Sequence, residues 1–307
     1  MKSEPFQTHK VSLCGVNCYI EERRPKKQGL SKSSSELSDQ VDFPNDSRAT
    51  STPILFLHGW LDNSESFHFL YEHFSNHWIY SLDFPGHGRS DHLPEGMAYH
   101  FLDLVYVIQD AIKHFNWDKV IIVGHSMGGA AATLFSSLSD QVEKLILIEA
   151  LGPLTVSPNQ TLELMQRSIK QRSSQQNKQR RIFDSIEQAV IARAEHSELA
   201  PELVRPMVER GIEAVQQGVR WSSDPRLRIS SINRLTETQL EPLMSQILQP
   251  VLLIEAKQGL FSQNALIQAR KSHLKQLEIV ELDGGHHVHL EHPQRVASAM
   301  IQFLSTE

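Results

Sequence analysis

The stretch that most constrains this chain is Gly124-His125-Ser126-Met127-Gly128, set directly behind the apolar run Val120-Ile121-Ile122-Val123. The apolar run predicts a buried strand, and Gly129 to Leu138 predicts a helix. A serine between the two sits on a sharp strand-to-helix turn, with its Oγ held out at the carboxyl edge of a sheet. The small residues flanking it leave room for that tight backbone. Such a pentapeptide also arises by chance, and a serine there can serve only as a helix cap. The strand before it and the helix after it favour Ser126 as a nucleophile.

The rest of the chain is compatible with a sheet large enough to hold such a turn. Its 307 residues suffice for one large domain or two moderate ones. A hydrophobic fraction of 40% with 21% charged residues is that of a globular protein. The formal net charge of -6 argues against nucleic acid as a partner. No apolar run reaches the roughly 18 to 20 residues of a membrane span, so stable membrane insertion is not expected. The start, Met1-Lys2-Ser3-Glu4-Pro5, shows no secretory apolar region, and a cytoplasmic location is expected. Cys14 and Cys18 flank an expected Gly15-Val16 turn and read as two small apolar residues in a reducing compartment.

Strands are expected at 10–14, 17–21, 53–57, 78–83, 120–123, 145–148, 251–255 and 277–282. Helices are expected at 67–74, 97–115, 129–138, after Ser262 and at 293–304. Residues 22–51 are polar, without periodicity, and read as a mobile surface insertion. From Pro153 to about Thr236 the strand signal disappears and the segment reads as helical. The alternation predicts an α/β fold: a mostly parallel, eight-stranded sheet covered by helices on both faces. Residues 1–152 and 237–307 form its core, and 153–236 an inserted helical cap over the strands' carboxyl ends, where such sheets bind ligands.

Four motifs now appear in order: Leu57-His58-Gly59-Trp60, Asp83-Phe84-Pro85-Gly86-His87-Gly88-Arg89-Ser90, the Ser126 turn, and Gly284-Gly285-His286 followed by Glu291-His292-Pro293. In these the chain resembles the α/β-hydrolases, and more narrowly a serine hydrolase-like branch near the haloalkane dehalogenases and epoxide hydrolases. The resemblance implies a catalytic histidine after the last strand, followed by Glu five and Pro seven residues on. His286 fits that count, with His287 as the alternative. His289 and His292 complete a histidine-rich stretch, for which a metal role has no supporting ligand pattern.

A serine hydroxyl is a weak nucleophile and needs this base; the base in turn needs a carboxylate. The resemblance places an Asp shortly after the strand at 251–255, but Gly259 stands there. Glu149, at the end of strand 145–148, resembles the strand-end Glu of some haloalkane dehalogenases in a similar Glu-Ala context. A charge at the end of a buried strand also needs a physical reason. Glu149 is therefore the expected acid, although it could instead cap a helix or pair with a cap arginine. Asp83 and Asp283 are the rival carboxylates, read as a loop brace and a turn residue. The role of Asp224, in the cap segment, is left open between pocket wall and helix terminus.

The oxyanion hole is expected from the backbone N–H groups of Met127, after the nucleophile, and Trp60, where His58-Gly59-Trp60 resembles the family's H-G-x. The Trp60 indole either walls the pocket or packs in the core. Ser126 in place of the Asp that dehalogenases and epoxide hydrolases carry points to acyl transfer rather than attack on an sp³ carbon. The expected activity is metal-free and cofactor-free hydrolysis of a carboxylic ester of a small, largely apolar substrate. C–C bond or thioester hydrolysis, and a non-catalytic ligand-binding scaffold, are the alternatives. The sequence leaves the oligomeric state open.

Overall fold

The computed structural model describes residues 6–25, 52–175, 180–260 and 264–306. β1 (Gln7–Leu13) and β2 (Val16–Arg23) form a hairpin. β3 (Ile54–Leu57), β4 (Ile79–Leu82), α1 (Leu104–His114), β5 (Val120–His125), α2 (Met127–Leu138) and β6 (Val142–Ile148) follow. Next come α3 (Thr161–Gln175), α4 (Ile186–Ser197), α5 (Pro201–Arg210) and a small hairpin of β7 (Ile212–Val215) and β8 (Gly218–Trp221). The chain then runs through α6 (Glu237–Met244), β9 (Val251–Ala256), α7 (Ala265–Arg270), β10 (Leu277–Leu282), α8 (Val288–Glu291) and α9 (Pro293–Leu304).

Eight strands make one sheet in the order β1-β2-β4-β3-β5-β6-β9-β10. β1 and β2 pair antiparallel, as do β2 and β4, and the remaining neighbours are parallel. The central strands read as unbroken apolar runs because both faces of a parallel sheet are covered. Alternate residues separate the two cores: Leu55 and Leu57 of β3 pack with α1 and α2, whereas Ile54 and Phe56 pack with Phe67, Tyr71 and α9. Among the described residues no helix is long and apolar enough to cross a membrane.

Three local expectations are corrected. The helix expected over 67–74 is two 3-10 turns, Ser64–Phe67 and Tyr71–Phe74, wrapped on the Phe56 ring. Apolar residues at 67, 70, 71 and 74 suit either helix type, so periodicity could not separate them. The N-terminal turn is Cys14-Gly15, both at positive φ, rather than Gly15-Val16. Cys14 is exposed, Cys18 is buried, and both are free thiols. The segment after Pro153 is not purely helical, because β7 and β8 pair within it. Each has four residues, half-buried except for the exposed Ala214, and their link, Gln216-Gln217, lacks a hairpin turn signal, so neither alternation nor turn chemistry revealed them. The expected insertion at 22–51 falls mostly outside the described residues, and its first two positions belong to β2.

Residues 153–236 carry a small core of their own, Phe183, Val190, Val204, Met207 and Val208 among it. Arg210, at the end of α5, reaches out of this segment. Its guanidinium is buried, donates to Asp83 Oδ2 at 2.8 Å and pairs with Glu21 of β2.

Candidate active site

β5 and β6 lie side by side, with His125 opposite Ile148. Ser126 and Glu149 are thus the first residues beyond two neighbouring strand ends. Both leave the sheet at positive φ, 49° for Ser126 and 48° for Glu149. That region costs a non-glycine residue on the order of 1–3 kcal/mol, and it survives where the surroundings enforce it. Here Ser126 N–H is held by Ile148 O at 3.1 Å, and Glu149 N–H by Ile254 O at 2.9 Å. The turn closes only because Gly128 lacks a side chain: a Cβ there would lie 2.7 Å from His58 O. The helix start is thereby pressed against the loop that follows β3.

His286 lies on the loop after β10. Its Nε2 is 2.9 Å from Ser126 Oγ and its Nδ1 is 3.4 Å from Glu149 Oε2. The Glu149 side chain is fully buried and also accepts from Ala256 N at 2.7 Å and Leu260 N at 3.1 Å. The space it fills belongs to Gly259, where a Cβ would come within 2.5 Å of Glu149 Oε1. Glycine at the position expected for an acid is therefore what admits the carboxylate of Glu149. Ser126, Glu149 and His286 come together. His287 is directed elsewhere: its Nε2 donates to Asp62 Oδ2 at 3.3 Å.

The chain matches the family described as alpha/beta hydrolase fold over residues 52–293. It is 30% identical to a serine hydrolase-like protein of Danio rerio over 284 residues, 89% of this chain and 86% of that one. It is also 30% identical to serine hydrolase-like protein 2 of Homo sapiens over 275 residues, 82% of this chain and 86% of the other. A crystal structure of a hypothetical protein from Pseudomonas aeruginosa PAO1 superposes with a TM-score of 0.85 at 27% identity, covering 97% of this chain and 99% of that chain.

The chain belongs to the α/β-hydrolase family. Relatives that match most of its length include serine hydrolase-like proteins, and the mostly parallel sheet is that of the family.

Around the Ser126 turn four imidazoles cluster, His125 and His289 buried and His286 and His287 half-buried. His125 sits with ring centroids 4.9 Å from His286, 5.0 Å from His287 and 4.3 Å from His289. His125 Nε2 donates to His286 O at 2.9 Å, so the residue before Ser126 holds the backbone of the loop that carries His286. Asp62 takes His287 on Oδ2 and Arg193 of α4 on Oδ1, the latter at 2.5 Å. Arg193 holds the Asp62 carboxyl well below its ordinary pKa against the opposing effect of burial, and His287 adds to this. Sequence reasoning missed Asp62, His125 and Arg193. The signal lay in Asp62 following Gly59 by three positions and in His125 preceding the serine, but the partners are far apart in the chain.

The ligating atoms of Asp62, His125 and His287 all lie within 4.8 Å of one another, the spacing of a metal site. The Arg193 cation on the same carboxylate works against a second cation there. The rival carboxylates are occupied structurally. Asp83 accepts from Ser64 N at 2.8 Å and Arg89 N at 2.9 Å, besides Arg210, and Asp283 pairs with Lys257 at 2.9 Å at the surface. Asp224 caps the turn Pro225–Arg228 through Arg226 N at 2.9 Å and also accepts from Tyr99 OH. Glu291 accepts from Gly285 N at 2.8 Å and so braces the loop that carries His286.

Met127 is the first residue of α2, so its N–H is one of the helix's unpaired donors. The Trp60 side chain is not core: it is half exposed, and its indole N–H donates to Leu227 O at 3.0 Å, across to the 153–236 segment.

Burial is the main reason the His286 pKa falls below its ordinary 6.5; His125 lowers it further, and Glu149 opposes the shift. A base must be neutral to take a proton, so with His286 as the proposed base activity is expected to fall as pH drops through this depressed pKa. The kcat/KM profile is expected to rise through a midpoint below pH ~6.5 and then level off. An inflection above pH ~7 contradicts the burial argument.

Proposed function

We propose that this α/β-hydrolase cleaves a carboxylic ester of a small substrate through an acyl-enzyme on Ser126. The contact that carries the reading is the 2.9 Å approach of His286 Nε2 to Ser126 Oγ, with Glu149 behind the imidazole. His286 takes the Ser126 proton as Oγ attacks the ester carbonyl. Glu149 keeps the imidazole oriented and stabilises the imidazolium. The N–H groups of Met127 and Trp60 receive the oxyanion, a donor pair of which each member contributes about 3–4 kcal/mol to barrier lowering. His286 then hands the proton to the departing alkoxide. In the second half-reaction it deprotonates water, which releases the acid and regenerates the serine. No step draws on a metal or cofactor.

Residues 153–236 are read as a cap. Trp60 and Asp62 on the loop after β3 are bonded to Leu227 and Arg193 of that segment, which supports a role in bounding the substrate space. The test is hydrolysis of p-nitrophenyl esters from acetate to decanoate. Turnover with an optimum at short acyl chains is expected. Absence of turnover on every ester, together with no labelling of Ser126 by a fluorophosphonate, overturns the reading.

A further inference from the structure

We propose that the cavity between the loop after β3 and the 153–236 segment is a subsite for an anionic group, a carboxylate at the far end of the substrate's acyl chain. The proposal rests on the ester-hydrolase reading above. The cavity is about 230 Å³, and its floor is Leu61, Asp62 and Asn63, the residues that directly follow Trp60. That volume suits a few heavy atoms rather than a large ligand.

Its charge is one-sided. Arg181, Arg193, His196 and Arg228 line it, and the carboxylate among its lining residues is Asp62. Asp62 is already committed to Arg193 and His287. Arg181 and Arg228 form no ion pair or hydrogen bond with the described residues; they rest against the Phe183 and Trp60 rings at 4.6 and 5.9 Å. The buried Nε of Arg193 is also without a hydrogen-bond partner among the described residues. In a chain of formal net charge -6, two guanidinium groups without a carboxylate partner among the described residues, Arg181 and Arg228, give this cavity a positive potential that an anion would neutralise. Guanidinium groups present paired N–H donors that match a carboxylate.

Two links tie this cavity to the chemistry. The Trp60 indole is fixed by Leu227 O, one residue before Arg228, so the proposed oxyanion donor and the cation share a brace. Asp62 ties the cavity floor to His287, the neighbour of His286. The apolar side chains of Phe183, Met207 and Trp221 supply a wall for methylenes. The proposed acyl chain has an apolar stem and a charged end, where the sequence suggested a largely apolar substrate.

The experiment compares the mono-p-nitrophenyl ester of glutaric acid with its neutral isostere, p-nitrophenyl 5-methylhexanoate. A charge-assisted contact predicts a kcat/KM ratio of at least about tenfold for the glutarate ester, carried mainly by KM and weakened by salt. In Arg228→Gln the ratio should fall toward one, and Arg181→Gln should lower it as well. Arg228 is exposed and makes no polar contact with the described residues, so an unchanged Tm separates this from misfolding. Equal or better use of the neutral ester by wild type, or an unaltered ratio in both variants, overturns the subsite. Binding of glutarate to Ser126→Ala, followed calorimetrically, keeps the two readings apart. If neither ester turns over but glutarate binds and Arg228→Gln abolishes it, the ester reading fails and the subsite stands. If glutarate does not bind either, the subsite fails too.

Discussion

Ser126→Ala is expected to lower kcat for ester hydrolysis by about a million-fold, near 8 kcal/mol in the barrier, because nucleophile and base act as one unit. Residual turnover above background should reflect only the oxyanion donors and substrate binding. The protein should remain folded. The Ser126 hydroxyl has His286 as its hydrogen-bond partner among the described residues, and alanine meets the same backbone geometry that serine already tolerates. Steady-state kinetics with a check of Tm decide the matter. A variant that keeps a tenth of wild-type activity removes Ser126 from the mechanism.

The second large effect concerns Gly259. Gly259→Ala should cost about 10²- to 10⁴-fold in kcat, approaching the loss expected when the acid of such a triad is disabled. An added Cβ displaces the Glu149 carboxylate from Ala256 N, Leu260 N and His286 Nδ1 together. The same geometry predicts a rescue. Glu149→Ala alone should be nearly inactive, whereas Glu149→Ala combined with Gly259→Asp returns a carboxylate to the vacated volume. The double variant should exceed Glu149→Ala by at least about tenfold. Full activity in Gly259→Ala, or no gain in the double variant, would falsify the idea that these two positions compete for one space.

That competition also explains what the sequence could and could not tell. Continuous apolar runs at β3, β5, β6 and β9 made the parallel sheet legible, since full burial on both faces leaves no polar alternation to confuse the reading. Ser126 was legible from the strand and helix on either side of it. Gly259 looked like a missing acid, and only three-dimensional packing shows that its emptiness and Glu149 are one feature. The imidazole cluster was illegible because it is made of contacts between residues such as Asp62 and His287, 225 positions apart in the chain. Short-range pattern carries no trace of such pairs. The β7 and β8 hairpin failed for the opposite reason: it is local, but too short and too half-buried to impress a period.

Arg210 carries a mechanical consequence. Withdrawing its guanidinium would take the buried cation from Asp83 and leave Glu21 with Arg23 at 3.6 Å, a penalty of about 3–5 kcal/mol. The α5 end of the 153–236 segment therefore behaves as a doorpost sunk into the wall. Any movement of this segment against the sheet would pivot about that post. α3 is held more lightly: Leu162, Met165 and Ile169 face solvent, Leu164 is buried, and Arg172 donates to Gly96 O.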